Sequence, residues 1–115
     1  MQVLEKDIKN IPENQLSRIE GLCSTITFKP GQVVYYKEHM PYGVFFLVKG
    51  IAEIKGSRKS EKIEPVKILG LNSFLKNKSY PFTVKALSIC TIKFLSTTAY
   101  NDLIKKRDPV LEFLS

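Results

Sequence analysis

The residues able to do chemistry in this chain of 115 are few, and their placement excludes more than it suggests. There is one histidine, His39, and there are two cysteines, Cys23 and Cys90, far apart in the chain. Nucleophilic catalysis needs a nucleophile, a base and an orienting group within reach of one another. A single imidazole cannot serve several such sets. A metal centre needs three or four converging His, Cys, Asp or Glu ligands, and a cysteine pair closely spaced in sequence is absent. Neither Walker-type nor Rossmann glycine spacing occurs. No catalytic residue and no metal ligand is assigned, and the chain reads as a non-enzyme.

Charge is the remaining chemical signal. The chain carries 18 Lys and Arg against 11 Asp and Glu, a formal net charge of +7. Residues 1–64 hold 10 basic and 8 acidic side chains, whereas residues 65–115 hold 8 and 3. Between Glu64 and Asp102 there is no acid, while Lys67, Lys76, Lys78, Lys85 and Lys93 all fall there. Such a field draws small anions. The same lysines spread over a solvated face would do no more than keep the protein soluble.

These residues must be carried by something, and the elements are legible. Pro12 and Glu13 suit a helix start, and Leu16, Ile19 and Cys23 recur on one apolar face, giving a helical entry over residues 4–22. Thr25-Ile26-Thr27 begins a strand. Phe28-Lys29-Pro30-Gly31 reads as a turn in which Gly31 takes positive φ, followed by the β-rich run Val33-Val34-Tyr35-Tyr36. A Pro/Gly loop leads to Val44-Phe45-Phe46-Leu47-Val48, which stops at Lys49-Gly50. Ile51 to Lys55 alternates as a half-wet strand. Glu61 to Leu69 reads as its hairpin return, with Pro65 demanding an edge or a bulge. Thr83 to Leu95 reads as a last hairpin. Ser96 or Thr97 then caps a helix with Tyr100, Leu103 and Ile104 on one face, and Asp108-Pro109 caps a second, over 97–115 in all. The fold class is mainly β: one domain over residues 1–115, an antiparallel jelly roll of about eight strands over residues 24–95, between flanking N- and C-terminal helices.

Phe28 to Val34 and Val44 to Gly50, taken with their turn residues, resemble the start of a cyclic-nucleotide-binding domain, the sensor module of catabolite activator proteins and protein kinase A regulatory subunits. In that family a phosphate-binding cassette follows the roll's middle strands. A Gly-Glu pair precedes a short helix, and an arginine precedes a strand ending in alanine. The resemblance implies an arginine fork on the cyclic phosphate, helix-start amides on the same oxygens, and a glutamate on the ribose hydroxyl. Leu69-Gly70 and Phe74-Leu75 match the cassette entry, and Thr83-Val84-Lys85-Ala86 matches its exit. Between them the chain departs. Aligned from the entry, Gly-Glu falls on Lys76-Asn77; aligned backward from Ala86, the arginine falls on Tyr80. The cassette also reads as several residues short, with little room for its helix.

The site implied by the resemblance therefore comprises Phe74, Lys76, Asn77, Lys78, Ser79, Tyr80 and Thr83, with Val44, Phe46, Leu71 and Phe82 as neighbours. Lys76 or Lys78 would meet a phosphate as a point charge and Asn77 would meet a hydroxyl, weaker partners than a guanidinium and a carboxylate. The expected function is a non-catalytic regulatory or ligand-sensing module that does not bind cyclic AMP or cyclic GMP in the usual way. The expected ligand is a cyclic nucleotide or another small anion; the alternatives are a scaffold for a protein partner and, less favoured, a basic nucleic-acid-binding module. A homodimer also fits, because family members use a longer helix after the roll as a lid or dimer interface. If this is the whole protein, the C-terminal helix is expected to be too short for an extended coiled coil, with no helix-turn-helix domain after it. Specific nucleic-acid recognition is not expected: no recognition helix, RNP-like aromatic motif or zinc knuckle is visible. The N-terminus lacks the apolar core of a secretory signal, no apolar run is long enough to span a bilayer, and the isolated cysteines suit a reducing cytoplasm.

Overall fold

In the computed structural model, residues 7–56 and 59–114 are described. Nine strands form two antiparallel sheets. In chain order these are β1 (Ile8–Asn10), β2 (Ser24–Phe28), β3 (Val33–Tyr35), β4 (Gly43–Lys49), β5 (Ala52–Lys55), β6 (Ser60–Ile63), β7 (Lys67–Leu69), β8 (Thr83–Ala86) and β9 (Cys90–Ser96). Helix α1 (Glu13–Ile19) precedes β2, α2 (Leu71–Lys76) lies between β7 and β8, and α3 (Thr97–Lys106) follows β9. The five-stranded sheet runs β1-β7-β4-β9-β2 and the four-stranded sheet runs β3-β8-β5-β6. A jelly roll is the result, as the strand content and turn spacing predict.

Strand β4 explains why two layers suffice for two cores. Its continuous apolar run is buried on both faces. Phe45 and Leu47 point between the sheets, joining Val34, Tyr35, Ile54, Val84 and Ile92. Val44 and Phe46 point the other way and pack with Leu16, Ile19, Leu95, Leu103 and Val110 beneath the helices. A two-sided strand cannot alternate polar and apolar residues, which is why its sequence reads as one unbroken block. By contrast β5 buries Ala52 and Ile54 while Lys55 is exposed, as its alternation requires.

The structure corrects several local readings. A short strand, β1, paired with β7, stands where the entry was expected to be helical throughout, and residues 4–6 lie outside the described residues. The segment Glu61 to Leu69 is not one return strand. It divides at Glu64-Pro65-Val66 into β6 and β7, which belong to different sheets. Pro65 cannot continue a ladder, and here the break carries the chain from one layer to the other. Thr83 to Leu95 is likewise no hairpin: β8 and β9 also lie in different sheets. Among the described residues, β5 and β6 are the one consecutive pair hydrogen-bonded to each other. Past α3, the second C-terminal helix is a single 3-10 turn, Pro109–Glu112, capped by Asp108 Oδ1 accepting from the Val110 N–H at 2.9 Å. Ser96 caps α3 in the same way, accepting from the Ala99 N–H at 3.2 Å. Ile104, placed by periodicity on the buried face of α3, is 47% exposed. The turn between β5 and β6 includes Ser57 and Arg58, and the chain's end includes Ser115; these too lie outside the described residues.

Cys23 ends the 3-10 turn after α1, and its thiol is pushed up to about 11 from 9.0, chiefly by burial, with Lys93 opposing and Glu20 adding to the shift. Burial disfavours the thiolate, so the reactive form is scarce at neutral pH. Cys23 should therefore be alkylated by iodoacetamide at pH 8 about 100-fold more slowly than a cysteine in the urea-unfolded chain, two pKa units being two powers of ten. Mass spectrometry of the time course measures this. Equal rates in the folded and unfolded chain would show that the thiol is not desolvated.

Candidate functional site

The cassette is complete in outline. β7 ends at Leu69, Gly70 turns with φ +76°, and α2 runs from Leu71 to Lys76 before the chain returns through Tyr80 to β8. The expectation that the segment is too short for a helix is corrected: six helical residues fit, closed by Asn77 in the left-handed conformation at φ 53°. In the resemblance the Gly-Glu pair precedes this helix; here Leu69-Gly70 stands immediately before it, and Lys76-Asn77 stands at its end.

Gly70 and Tyr80 are packed as a pair. A Cβ on Gly70 would stand 2.7 Å from Cε1 of Tyr80, so no side chain fits there while the ring is in place. The Tyr80 ring is stacked on Tyr35 of β3, with centroids 3.7 Å apart and planes at 17°, and Tyr35 leans on Phe45 at 5.8 Å. Tyr80 is 3% exposed and Tyr35 5%. Burial raises both phenols well above their ordinary range, with the neighbouring Asp7 charge adding to each. Among the described residues the Tyr35 hydroxyl has no hydrogen-bond partner. Main-chain bonds hold the ring from outside: the Glu38 N–H donates to the Tyr80 carbonyl and the Tyr80 N–H to the His39 carbonyl, 2.8 and 2.9 Å.

A carboxylate closes the start of α2. Asp7, 1% exposed, comes from the N-terminal end of β1, whose pairing with β7 aims it there. Its Oδ1 accepts from the Ser73 N–H and its Oδ2 from the Ser73 hydroxyl, both at 2.7 Å, while its carbonyl accepts from the Gly70 N–H at 2.9 Å. A carboxylate at this end of a helix satisfies orphan amides and meets the favourable end of the dipole.

The residues expected to form the site are only partly brought together. Lys76, Asn77, Lys78 and Ser79 are exposed on the outer bend after α2. Thr83 stands on β8, where its hydroxyl accepts from the Lys37 N–H at 3.0 Å. Phe74 lies on the helical side of the five-stranded sheet, edge-on to Tyr100 at 5.1 Å, in the same cluster as Val44, Phe46 and Leu71. Phe82 and Tyr80 are in the other cluster, between the sheets. The sheet thus separates the neighbours into two groups. Tyr35, Gly70, Ser73 and Asp7 were missed. The helix that follows Gly70 would have pointed to Gly70 and Ser73, but Asp7, 66 positions from Ser73, has no local signal. Among the described residues no group of three or more His, Cys, Asp or Glu could hold a metal ion, and no helix is long and apolar enough to cross a membrane.

Comparison with known proteins places this geometry. No curated protein sequence matches the chain. Among solved structures, a transcriptional regulator from Thermotoga maritima aligns with TM-score 0.73 at 23% identity, covering 86% of this chain and 83% of that one. The catabolite activator protein of Thermus thermophilus aligns with TM-score 0.76 at 12% identity, over 99% of this chain but 55% of its own length. A domain of a protein kinase A regulatory subunit bound to Sp-2Cl-cAMPS aligns with TM-score 0.71 at 17% identity, over 96% and 74%. At these identities the likeness is one of fold. The sequence profile described as "Cyclic nucleotide-binding domain" matches residues 25–107, from β2 to the end of α3, and so takes in every strand of the roll but β1 and the whole cassette. The chain belongs to the cyclic nucleotide-binding domain family.

Proposed function

We propose that this chain is a non-catalytic regulatory module of its family in which the nucleotide position is filled from within, so that cyclic AMP and cyclic GMP do not bind in the family's way. The observation that carries the reading is the joint occupation of the cassette by Tyr80, Gly70 and Asp7. Tyr80 stands at the arginine position and stacks into the roll. Gly70 stands immediately before the helix, where the resemblance places the Gly-Glu pair, and is barred by that ring from carrying a side chain. Asp7 already accepts from the Ser73 amide, one of the helix-start donors that a phosphate would use. A nucleotide phosphate brought here would meet a carboxylate.

Magnitudes support the same reading. The missing arginine–phosphate and glutamate–hydroxyl bonds are charge-assisted, on the order of 1.5–3 kcal/mol each. Losing both weakens binding by roughly two to four powers of ten. Isothermal titration calorimetry should accordingly give no saturable heat for cyclic AMP or cyclic GMP up to about 1 mM. A low-micromolar constant for either nucleotide would sink the proposal and direct attention to Lys76 and Lys78. The module's output then passes through a protein partner, with the roll as scaffold, as the relatives named as regulators suggest. A small anion at the exposed bend of Lys76, Asn77, Lys78 and Ser79 is the second reading, favoured by their exposure and by the absence of acid from residues 65–101.

A further inference from the structure

A jelly roll of two open sheets has four edge strands, and exposed edges invite pairing with another chain unless they are short, charged, bulged or interrupted by proline. Three of the four here carry such a device. β1 is three residues long and runs into Pro12 within two positions. β6 bears Glu61 and Lys62. β3 is three residues long and shifts register between Val33 and Tyr35. β2 has none of them. Its five residues, Ser24-Thr25-Ile26-Thr27-Phe28, hold no charge, no glycine and no proline, and pair with β9 in unbroken register from Ser24↔Phe94 to Phe28↔Cys90. In the five-stranded sheet β9 is its one neighbour.

An open groove of about 520 Å³ lies beside this edge, lined by Ile26, Thr27, Phe28, Gln32, Val33 and Tyr36 among others. Tyr36 is 53% exposed, and Ile26 and Phe28 are half-buried at the margin of the inter-sheet core. On the outer face of the sheet, Lys93 Nζ donates to Thr25 Oγ1 at 2.6 Å, and Lys29 is exposed just past the end of β2. Neither residues 24–32 nor β9 contains an acid.

We infer that β2 is a docking edge for an extended acidic peptide segment of a partner protein, which adds a sixth strand to the five-stranded sheet. Main-chain bonds to the open side of β2 would set its course. Successive side chains of a strand point to opposite faces, so alternate apolar residues would enter the groove beside Ile26 and Phe28. The intervening residues would face Thr25, Thr27 and Lys93, where carboxylates are favoured. A second copy of this chain is the poorer occupant, because each copy carries +7 and would bring its own lysines against these. The inference concerns the open side of β2, which none of the cassette residues Gly70, Ser73 and Tyr80 lines, and holds whether or not a small ligand binds at the cassette.

The test is a titration of the isotopically labelled chain with three blocked peptides: Asp-Val-Glu-Val-Asp, the same residues in the order Val-Val-Asp-Glu-Asp, and Lys-Val-Lys-Val-Lys. The first should shift the amide resonances of residues 24–28 saturably, and the others should bind at least about tenfold more weakly. Because the amides of alternate residues point to the same strand edge, methylating the backbone nitrogens of both valines in one peptide and of the middle Glu in another should remove binding in one of the two and spare it in the other. The variant Lys29→Glu/Lys93→Glu, checked for folding by circular dichroism, should reverse the preference between the acidic and the basic peptide. No shift at residues 24–28 up to about 1 mM, or equal shifts with the reordered peptide, would overturn the inference. So would sedimentation velocity showing a homodimer that the charge-reversed variant leaves intact and a β2 mutation, Ile26→Lys, dissolves.

Discussion

Asp7→Ala is expected to destabilise the fold by about 2–4 kcal/mol, which is a large part of the 5–15 kcal/mol that holds a small domain together. Asp7 is almost wholly buried, and both its oxygens are in use. Hydrogen bonds to a charged acceptor contribute about 1.5–3 kcal/mol, and an N-terminal cap about 0.5–2, so the two bonds overlap in what they supply. Removing the carboxylate also strands the Ser73 amide and hydroxyl without an acceptor in a place water does not easily reach. Against this stands the relief of a buried charge, which reduces the net loss but does not cancel it, since the charge sits at the favourable end of α2. Asp7→Asn keeps an oxygen for the amide and should lose about half as much. Urea unfolding followed by circular dichroism reads both values. If Asp7→Ala lies within about 0.5 kcal/mol of the parent chain, the contact is incidental and the account of the occupied cassette loses one of its three supports. Hydrogen exchange adds a local readout: the Ser73 amide should be protected in the parent chain and open in the variant.

This contact also marks where the sequence stops being informative. The turns at Gly31 and Gly50 could be read because positive φ favours glycine whatever surrounds it, and both residues have it. The two-sided burial of β4 could be read because Val44 to Val48 leaves no polar face. Layer assignment could not be read. Ile51 to Lys55 and Glu61 to Ile63 form a hairpin, yet the next strand of the same apparent run crosses to the other sheet, and nothing in Lys67-Ile68-Leu69 distinguishes the two destinations. The cassette was half legible. The entry and exit phrases were found, but a six-residue helix shows barely more than one turn of periodicity, so α2 went unseen. The stacking of Tyr35 on Tyr80 joins residues far apart in the chain, brought together by β3 pairing with β8 and by the main-chain bonds of Tyr80 to Glu38 and His39. Asp7 depends on β1 pairing with β7, strands far apart in the chain. Lysines, by contrast, are easy to count and hard to place. Lys76 and Lys78 looked like phosphate partners in sequence, and both lie on the exposed bend after α2, outside the aromatic stack.

Gly50→Ala is expected to cost about 2–5 kcal/mol, more than Gly31→Ala at about 1–2, although both glycines have nearly the same backbone angle. Gly31 lies at φ +91° and Gly50 at φ +94°, so a Cβ incurs the same left-handed penalty at each. Their surroundings differ. Around Gly31 a Cβ would meet nothing within 4 Å, so the penalty of conformation stands alone. At Gly50 the new atom would collide with the Ile89 carbonyl oxygen and lie 2.8 Å from Cys90 Sγ and 2.9 Å from Cys90 Cα. Two of those three atoms are main chain and cannot rotate away. Accommodation would require the turn before β5 to separate from the start of β9, where the Cys90 thiol donates to the Ile51 carbonyl at 3.3 Å and the Ile51 N–H to the Ser88 hydroxyl at 2.9 Å. Steric overpacking of this kind adds about 1–3 kcal/mol to the backbone term. Thermal and urea denaturation of the two single variants settle the comparison. Equal losses would mean that the 86–90 segment yields freely and that the close approach at Gly50 is not a constraint. A larger loss at Gly31 would reverse the argument, because it would require a contact at a position where the structure has open space.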